Sequence, residues 1–265
     1  MQKIFLQFAV TLLVFFSLWI SLSKVPFVDG EKMKKIDSAT EKKLGELVLK
    51  TIVVSNNEIK SKKLSGVIDT IKNAVCKAQG IDPTTIRTHI IQKGDINAFA
   101  LPDRQIVIYS GLITYSNNPE EVAGVIAHEL GHIEKNHVMK KLAKEMGLSM
   151  LVTLAGSNSG FEILKEVTRM LSSSAFDRKQ EQEADDYAFD ALVNANIDPE
   201  NLANFLFRLS KESGDVPEEL VWISTHPDSK ERAAQILKKR EGLKINPGKL
   251  LKSSWPAIQA SIKQE

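Results

Sequence analysis

The sequence predicts an α+β fold, predominantly helical, with one small sheet and a helix that carries a metal-binding motif. Three observations predict it. Apolar residues recur at helical period along most of the chain, alternating apolar runs bounded by turn residues are confined to residues 84–112, and His128-Glu129-Leu130-Gly131-His132 falls inside a helical stretch. With 265 residues and 43% hydrophobic content, the chain suffices for one domain with a substantial core.

Residues 4–22 contain no charged side chain. As a helix they would run ~28 Å, close to the ~30 Å hydrocarbon thickness of a bilayer. Ser21-Leu22-Ser23-Lys24 offers no small-x-small cleavage site, so residues 1–23 are expected to be an uncleaved N-terminal membrane anchor rather than a signal segment. Lys24, Lys32, Lys34 and Lys35 follow it and weaken a charge argument for export. Residues 24–36 read as a linker to a domain over 37–245.

That domain opens with a helix capped by Asp37 or Ser38 and ending near Ser55, followed by a second helix to about Gln79. Cys76, the lone cysteine, rules out an intrachain disulfide and reads as a small core residue of this helix. A strand is expected over 86–92, where His89 has a structural role. A hairpin follows over 97–111, with Phe99, Leu101, Ile106, Ile108 and Tyr109 flanking the turn signal Pro102-Asp103-Arg104.

Asn118 as N-cap, Pro119 at the first helical position and Glu120 with Glu121 in the first turn specify the start of the motif helix. Val122, Val125, Ile126, Leu130 and Ile133 continue it at helical period, and the pattern runs on to Gly147. Such a helix has ~28 residues and ~42 Å of length, with His137 on its surface about half a turn from His128 and His132. Gly124 and Gly131 lower helix propensity by about 1 kcal/mol each, which suggests close approach of another backbone or a substrate; plain helix packing is the other reading. The apolar run over 148–154 is too short to cross a membrane and reads as a mobile or lipid-facing segment. A helical pair across 161–195, a helix over 199–213 capped by Asp198 and a closing helix over 228–240 complete the domain. The tail over 246–265 is expected to lie along its surface.

Two histidines four apart on a helix are offset by about 40° and roughly 6 Å, so both imidazoles reach one ion from the same face. Glu129 sits about 100° around from His128, near enough to a water on that ion without being a ligand. These are the parts of a hydrolytic zinc site: neutral imidazoles, an open position and a carboxylate to take a proton. A third ligand from a second helix would complete it. Residues 178–195 place Glu181 and Asp185 on one face at i, i+4, and Ala184 and Ala188 leave room for close helix approach. If Glu181 ligates, Asp185 is placed to accept a hydrogen bond from the outer nitrogen of His128 or His132. Taken alone, an acidic helix of this kind is most often a solvated face.

Four motifs stand in order across roughly residues 95–235. They are Asn97-Ala98-Phe99-Ala100-Leu101-Pro102 with residues 106–112 behind it, the H-E-x-x-H pentad, Glu181-Gln182-Glu183-Ala184-Asp185, and Ser224-Thr225-His226-Pro227 with Glu231-Arg232 following. In these the chain resembles the integral-membrane and envelope zinc metallopeptidases grouped with the CAAX prenyl endopeptidase and HtpX, a branch of the gluzincins. The resemblance implies a gluzincin metallopeptidase domain holding one Zn²⁺ per chain through His128, His132 and Glu181. Glu129 is then the base, Asp185 supports a ligand, and Glu183 is not a ligand. It implies that residues 97–100, Asn97, Ala98, Phe99 and Ala100, form an edge strand that binds extended peptide, although Ala98, Phe99 and Leu101 would equally serve as packing. It also brings His226 to the site, as a donor to the developing oxyanion or as an inhibitory ligand, against the plainer role of capping the helix near Asp228. Asp177 departs from the Ser that relatives often carry there.

The implied function is a membrane-tethered zinc endopeptidase that hydrolyses unfolded or membrane-adjacent proteins in protein quality control. Its domain would lie on the periplasmic or extracytoplasmic side of the cell membrane. The rival reading is a zinc-bound chaperone or assembly factor with little or no proteolysis, against which Glu129 argues. Prenyl-protein cleavage is not expected, because that branch encloses its substrate among several membrane spans. A net charge of +2 with scattered lysines, and no phosphate-binding glycine loop, implies no nucleic-acid partner.

Overall fold

The motif helix owes its position to neighbours that approach it almost backbone to backbone. The computed structural model describes residues 2–23, 38–156, 161–212, 221–246, 248 and 250–262. Its first helix, α1 (Gln2–Ser23), covers the uncharged stretch and exposes Phe8, Leu13, Val14 and Phe15. Among the described residues no helix is long and apolar enough to cross a membrane, so the expected anchor is not shown. The linker over 24–36 and the Asp37 cap lie outside the described residues.

Helices α2 (Ser38–Ser55) and α3 (Lys62–Ala78) follow as expected. Helix α3 turns Leu64, Ile68, Ile71 and Val75 inward along one stripe. Cys76 is buried on it, and burial pushes its thiol up to about 11. The sheet has β1 (Arg87–Ile91), β2 (Ala98–Leu101) and β3 (Gln105–Tyr109) in the order β1-β3-β2. Strand β1 runs parallel to β3, and β2 pairs antiparallel with β3 from Ala98↔Ile108 to Leu101↔Gln105. The hairpin turn holds Asp103 and Arg104 at φ of 62° and 56°. Tyr109 ends the strand, because the next residues form α4 (Ser110–Tyr115) instead of extending it. His89 bonds Glu58 at 2.9 Å, a packing role.

Helix α5 (Pro119–Glu134) starts as its sequence specifies: Asn118 Oδ1 accepts from the Glu121 amide at 2.8 Å with Pro119 in the first turn. It does not run to Gly147. Asn136 adopts the left-handed conformation at φ 55°, a state Asn tolerates better than most residues, and a separate helix α6 (His137–Met146) begins there. Helix α7 (Leu148–Gly156) buries Leu151 and Leu154 and packs on α2 and α6. The segment expected to be mobile or lipid-facing is thus part of the fold, since its two leucines sit one turn apart and find a core to enter.

Helices α8 (Phe161–Ser173) and α9 (Arg178–Asn194) form the expected pair. Asp177 makes a reciprocal capping box with Gln180 at the start of α9. Helix α10 (Glu200–Glu212) is capped by Asp198, which accepts from the Glu200 amide at 3.0 Å; Ser213 lies outside the described residues. The short α11 (Val221–Thr225) and α12 (Ser229–Arg240) carry the loop with His226 between them. The tail does more than line the surface. Its helix α13 (Trp255–Ile262) buries Trp255, Ile258 and Ile262, and the Trp255 indole donates to the Ser116 carbonyl at 2.8 Å.

Helix α5 is wrapped by α9, α10, α3 and β2. A Cβ at Gly131 would stand 3.0 Å from the Ala184 backbone of α9, and one at Gly124 would stand 2.8 Å from Leu202 Cβ of α10. The glycines therefore serve close helix packing, and the contact at Gly131 is what brings the acidic helix against the histidines.

Candidate metal centre

His128 and His132 project from one face of α5 toward Glu181 on the first turns of α9, and His226 enters from the loop after α11. All four are buried, at 0%, 0%, 3% and 0% exposure. His128 Nε2 and His132 Nε2 stand 3.1 Å apart, and Glu181 oxygens lie 3.6 and 3.4 Å from them. His226 Nδ1 is 3.2 Å from His128 Nε2 and 3.0 Å from Glu181 Oε1. Four donors held at 2.0–2.1 Å around a tetrahedral ion are roughly 3.4 Å from one another. The cluster fits a zinc ion in both donor type and spacing.

The outer nitrogens strengthen that fit. His128 Nδ1 lies 3.0 Å from Asp185 Oδ1, and His132 Nδ1 lies 3.0 Å from His137 Nδ1. Asp185 takes the His128 proton outward, so that ring turns a lone pair inward toward His132 Nε2 at 3.1 Å and His226 Nδ1 at 3.2 Å, a spacing that suits a cation among them. Burial pushes His128, His132 and His226 each down to about 4, so all three are neutral near pH 7, the state a metal requires.

Arg232, on α12, is the counter-ion of the site. Its guanidinium forms a fork onto Asp185 at 2.7 Å for both bonds and reaches Glu181 Oε2 at 2.5 Å. Burial alone would raise both carboxyls. For Glu181, His226 and Arg232 outweigh it and hold the group well below its usual range; for Asp185, Arg232 and the His128 hydrogen bond do the same. Asp185 supports His128, one of the two rings allowed by its position on α9.

Glu129 is fully buried beneath the cluster. Its Oε2 accepts from the Ala100 amide of β2 at 2.9 Å, whereas Oε1 has no hydrogen-bond partner among the described residues and lies 3.4 Å from His226 Nε2. Burial, and then the Glu181 charge, push its carboxyl well above the ordinary range. Strand β2 is a sheet edge, and Asn97, Ala98, Phe99 and Ala100 are all buried beside the cluster. Helix α8 packs on this edge, where Asn97 Nδ2 donates to the Ser172 carbonyl at 3.0 Å.

A roof of rings closes the site. Phe176 stacks on His132 at 4.0 Å and Trp222 on His226 at 4.4 Å. Lys141 of α6 donates to the Ser174 carbonyl and lies 4.3 Å over the Phe176 ring. His226 does not cap α12, whose leading residue Asp228 sits at φ 62° without a side-chain cap. His137, expected on the helix surface, is instead fully buried, because the break at Asn136 turns the start of α6 inward beneath His132. Glu183 stays off the cluster and pairs with His137 at 3.0 Å.

A helical domain with a three-stranded sheet, an H-E-x-x-H helix and a glutamate from a second helix converging on one buried point defines a zinc metallopeptidase. Residues 62–240 match the model of peptidase family M48, and the chain belongs to that family. It is 33% identical to the metalloprotease LoiP of Escherichia coli K12, covering 70% of this chain and 72% of that protein. It is 26% identical to the E. coli metalloprotease YcaL, over 69% of this chain and 73% of that one. The β-barrel assembly-enhancing protease of Yersinia pestis is 25% identical over 78% of this chain, which spans only 45% of that longer protein.

Proposed function

We propose that the chain is a membrane-tethered zinc endopeptidase that cleaves unfolded or membrane-adjacent polypeptides of the cell envelope. The observation that carries this reading is Glu129: a buried carboxylate with one oxygen unsatisfied among the described residues, set beside a cluster of three histidines and a glutamate that fits zinc. His128, His132 and Glu181 would hold the ion, with Asp185 orienting His128. Bound there, zinc supplies Lewis acidity, lowering the pKa of water and polarising a carbonyl.

Glu129 takes the proton of the attacking water on Oε1, the oxygen without a partner among the described residues, and passes it to the leaving amine nitrogen. His226 Nε2, also without a partner among the described residues, donates to the carbonyl oxygen as negative charge develops there. With the roof down, its Nδ1 fills the fourth corner of the cluster. Once α8 moves off it, the edge of β2 at Asn97, Ala98, Phe99 and Ala100 receives the substrate as an added strand, with the Ala100 amide left to Glu129. Main-chain hydrogen bonds then give affinity with little demand on side chains, which favours extended, unfolded polypeptide.

The tether is proposed from the uncharged stretch over 4–22 and from α1, where Phe8 is 66% and Leu13 71% exposed. Apolar residues so displayed call for an apolar surrounding, and a bilayer supplies it. The name of the Y. pestis relative concerns β-barrel assembly, and an extracytoplasmic setting at the cell membrane is proposed for this chain. A second reading, a zinc-bound chaperone that does not cut, draws on the complete burial of the cluster with His226 in its fourth corner.

Digestion of an unfolded protein such as casein, with and without a chelator, separates the two. The peptidase reading expects chelator-sensitive cleavage that falls by about 10²-fold or more in Glu129→Gln, while the variant keeps its fold and its zinc. Equal cleavage by Glu129→Gln would overturn the mechanism, and a zinc-loaded parent that never cuts would favour the chaperone.

A further inference from the structure

His137 and Glu183 have no part in the chemistry above, yet His137 is as deeply buried as the cluster itself. One of its nitrogens lies 3.0 Å from His132 Nδ1 and the other 3.0 Å from Glu183 Oε2. We propose that His137 and Glu183 form an outer chain that positions His132 as a metal donor and raises its basicity. The proposal rests on the reading of the cluster as a zinc site.

The proton positions follow from the geometry. His132 Nε2 faces His128 and Glu181, so presenting a lone pair there places the ring's proton on Nδ1. The acceptor facing that N–H is His137 Nδ1, which must then be bare. Its own proton sits on Nε2 and is donated to Glu183 Oε2. Each bond has one donor and one acceptor, and the chain ends on a carboxylate, the group that best draws protons outward and electron density toward the metal-facing nitrogen. The two liganding histidines are thereby treated alike in principle and differently in reach. His128 bonds a carboxylate directly, in Asp185. The outer nitrogen of His132 instead faces His137, the first residue of α6, and this second imidazole spans the gap to Glu183 on the outer side of α9. The left-handed Asn136 makes this possible by turning the first residue of α6 inward.

Packing alone would ask nothing of the nitrogens of His137 and nothing of Glu183, whose side chain is 37% exposed. Zinc affinity of the purified full chain, read by competition with a chromophoric chelator, tells the roles apart. The visible spectrum of the cobalt-substituted protein reports whether the His132 donor has shifted. His137→Leu is expected to weaken zinc binding ~10- to 100-fold and to alter the cobalt spectrum. His137→Asn, whose amide oxygen can stand where Nδ1 stands, is expected to recover most of that loss. Glu183→Gln, a change at a partly exposed position that leaves the fold intact, is expected to weaken zinc by about 3- to 10-fold. On the His137→Asn background it should have no further effect. Zinc affinity within twofold of the parent in Glu183→Gln, or an Asn variant no better than Leu, would overturn the outer chain. A parent that binds no zinc would overturn the metal site beneath it, a result readily told from zinc-loaded variants that match a zinc-loaded parent.

Discussion

Helices α5 and α9 hold their donors through backbone contact at Gly131 and Ala184 and through a buried cluster in which Arg232 serves two carboxylates. The residues that seal those donors from above are held differently. Phe176 and Trp222 lie on the histidines by ring stacking, and their segments are pinned by a few bonds: the Phe176 amide to the Thr225 carbonyl at 3.3 Å, the Trp222 amide to the Ile96 carbonyl at 3.1 Å and Lys141 to the Ser174 carbonyl. Stacked pairs contribute about 0.5–1.5 kcal/mol each beyond burial, and a single hydrogen bond about 1 kcal/mol. Taking one partner from a buried ion pair costs about 3–5 kcal/mol. On the proposed function, a polypeptide reaches the donors, at most 3% exposed, only if the roof lifts while the cradle stays assembled.

The largest expected effect falls on the cradle. Arg232→Met leaves Glu181 and Asp185 buried without their cation, and should destabilise the zinc-free protein by about 3–5 kcal/mol in denaturant titration. A loss below about 1 kcal/mol would mean that the carboxylates are not held by that charge, and the contrast between cradle and roof would weaken.

Gly131→Ala is the next test. The added methyl would press on the Ala184 backbone and on Tyr187 Cβ at 3.2 Å. Overpacking of this sort costs about 1–3 kcal/mol, against about 1 kcal/mol gained in helix propensity. The expected net is a loss of up to about 2 kcal/mol, with weaker zinc binding as Glu181 is pushed from the histidines. A stabilised variant that binds zinc as tightly as the parent would show that the two helices part easily.

The same contrast separates what could be read from the sequence from what could not. Much of the cradle was legible because local rules write it: Asn118 and Pro119 start α5, the four-residue spacing aligns His128 and His132, and Glu181 and Asp185 share a face of α9, although it was the family resemblance that singled out Glu181 as a ligand. The roof has no such grammar. Phe176 and Trp222 are single aromatic residues at no fixed spacing from the motif, and only the fold stacks them on the rings. Arg232 was visible behind His226 but without a role, since its partners lie on another helix. His137 was misplaced for a local reason with a tertiary cause: Lys135 and Asn136 continue a helical pattern, and the left-handed turn that redirects α6 is settled by the packing beneath it. The leucines of α7 and the Trp255 ring and isoleucines of α13 were likewise readable as apolar, but the surfaces that receive them were not.

The smallest expected effect tests the roof through Lys141, which fastens the Ser174 carbonyl and covers the Phe176 ring. Lys141→Met removes that pin while keeping the aliphatic stem, and removing a desolvated charge offsets part of the lost bond. Cleavage of unfolded protein should rise about 2- to 5-fold, equivalent to about 0.4–1 kcal/mol, because the roof lifts more readily over an intact cradle. A pH series makes the test specific. Burial chiefly lowers the Lys141 ammonium from its ordinary 10.5 to about 8. Between those values the unfolded chain binds more protons than the folded one, so stability gains a rising contribution from pH 8 to 10.5, of order 1 kcal/mol per pH unit. Below about 8 both states carry the charge, and above about 10.5 neither does, so the slope vanishes at both ends. The Met variant should lack that rise while sharing every other pH dependence with the parent. Matching slopes in parent and variant would remove Lys141 from the roof's fastening, and a slower variant would show that the roof does not limit access.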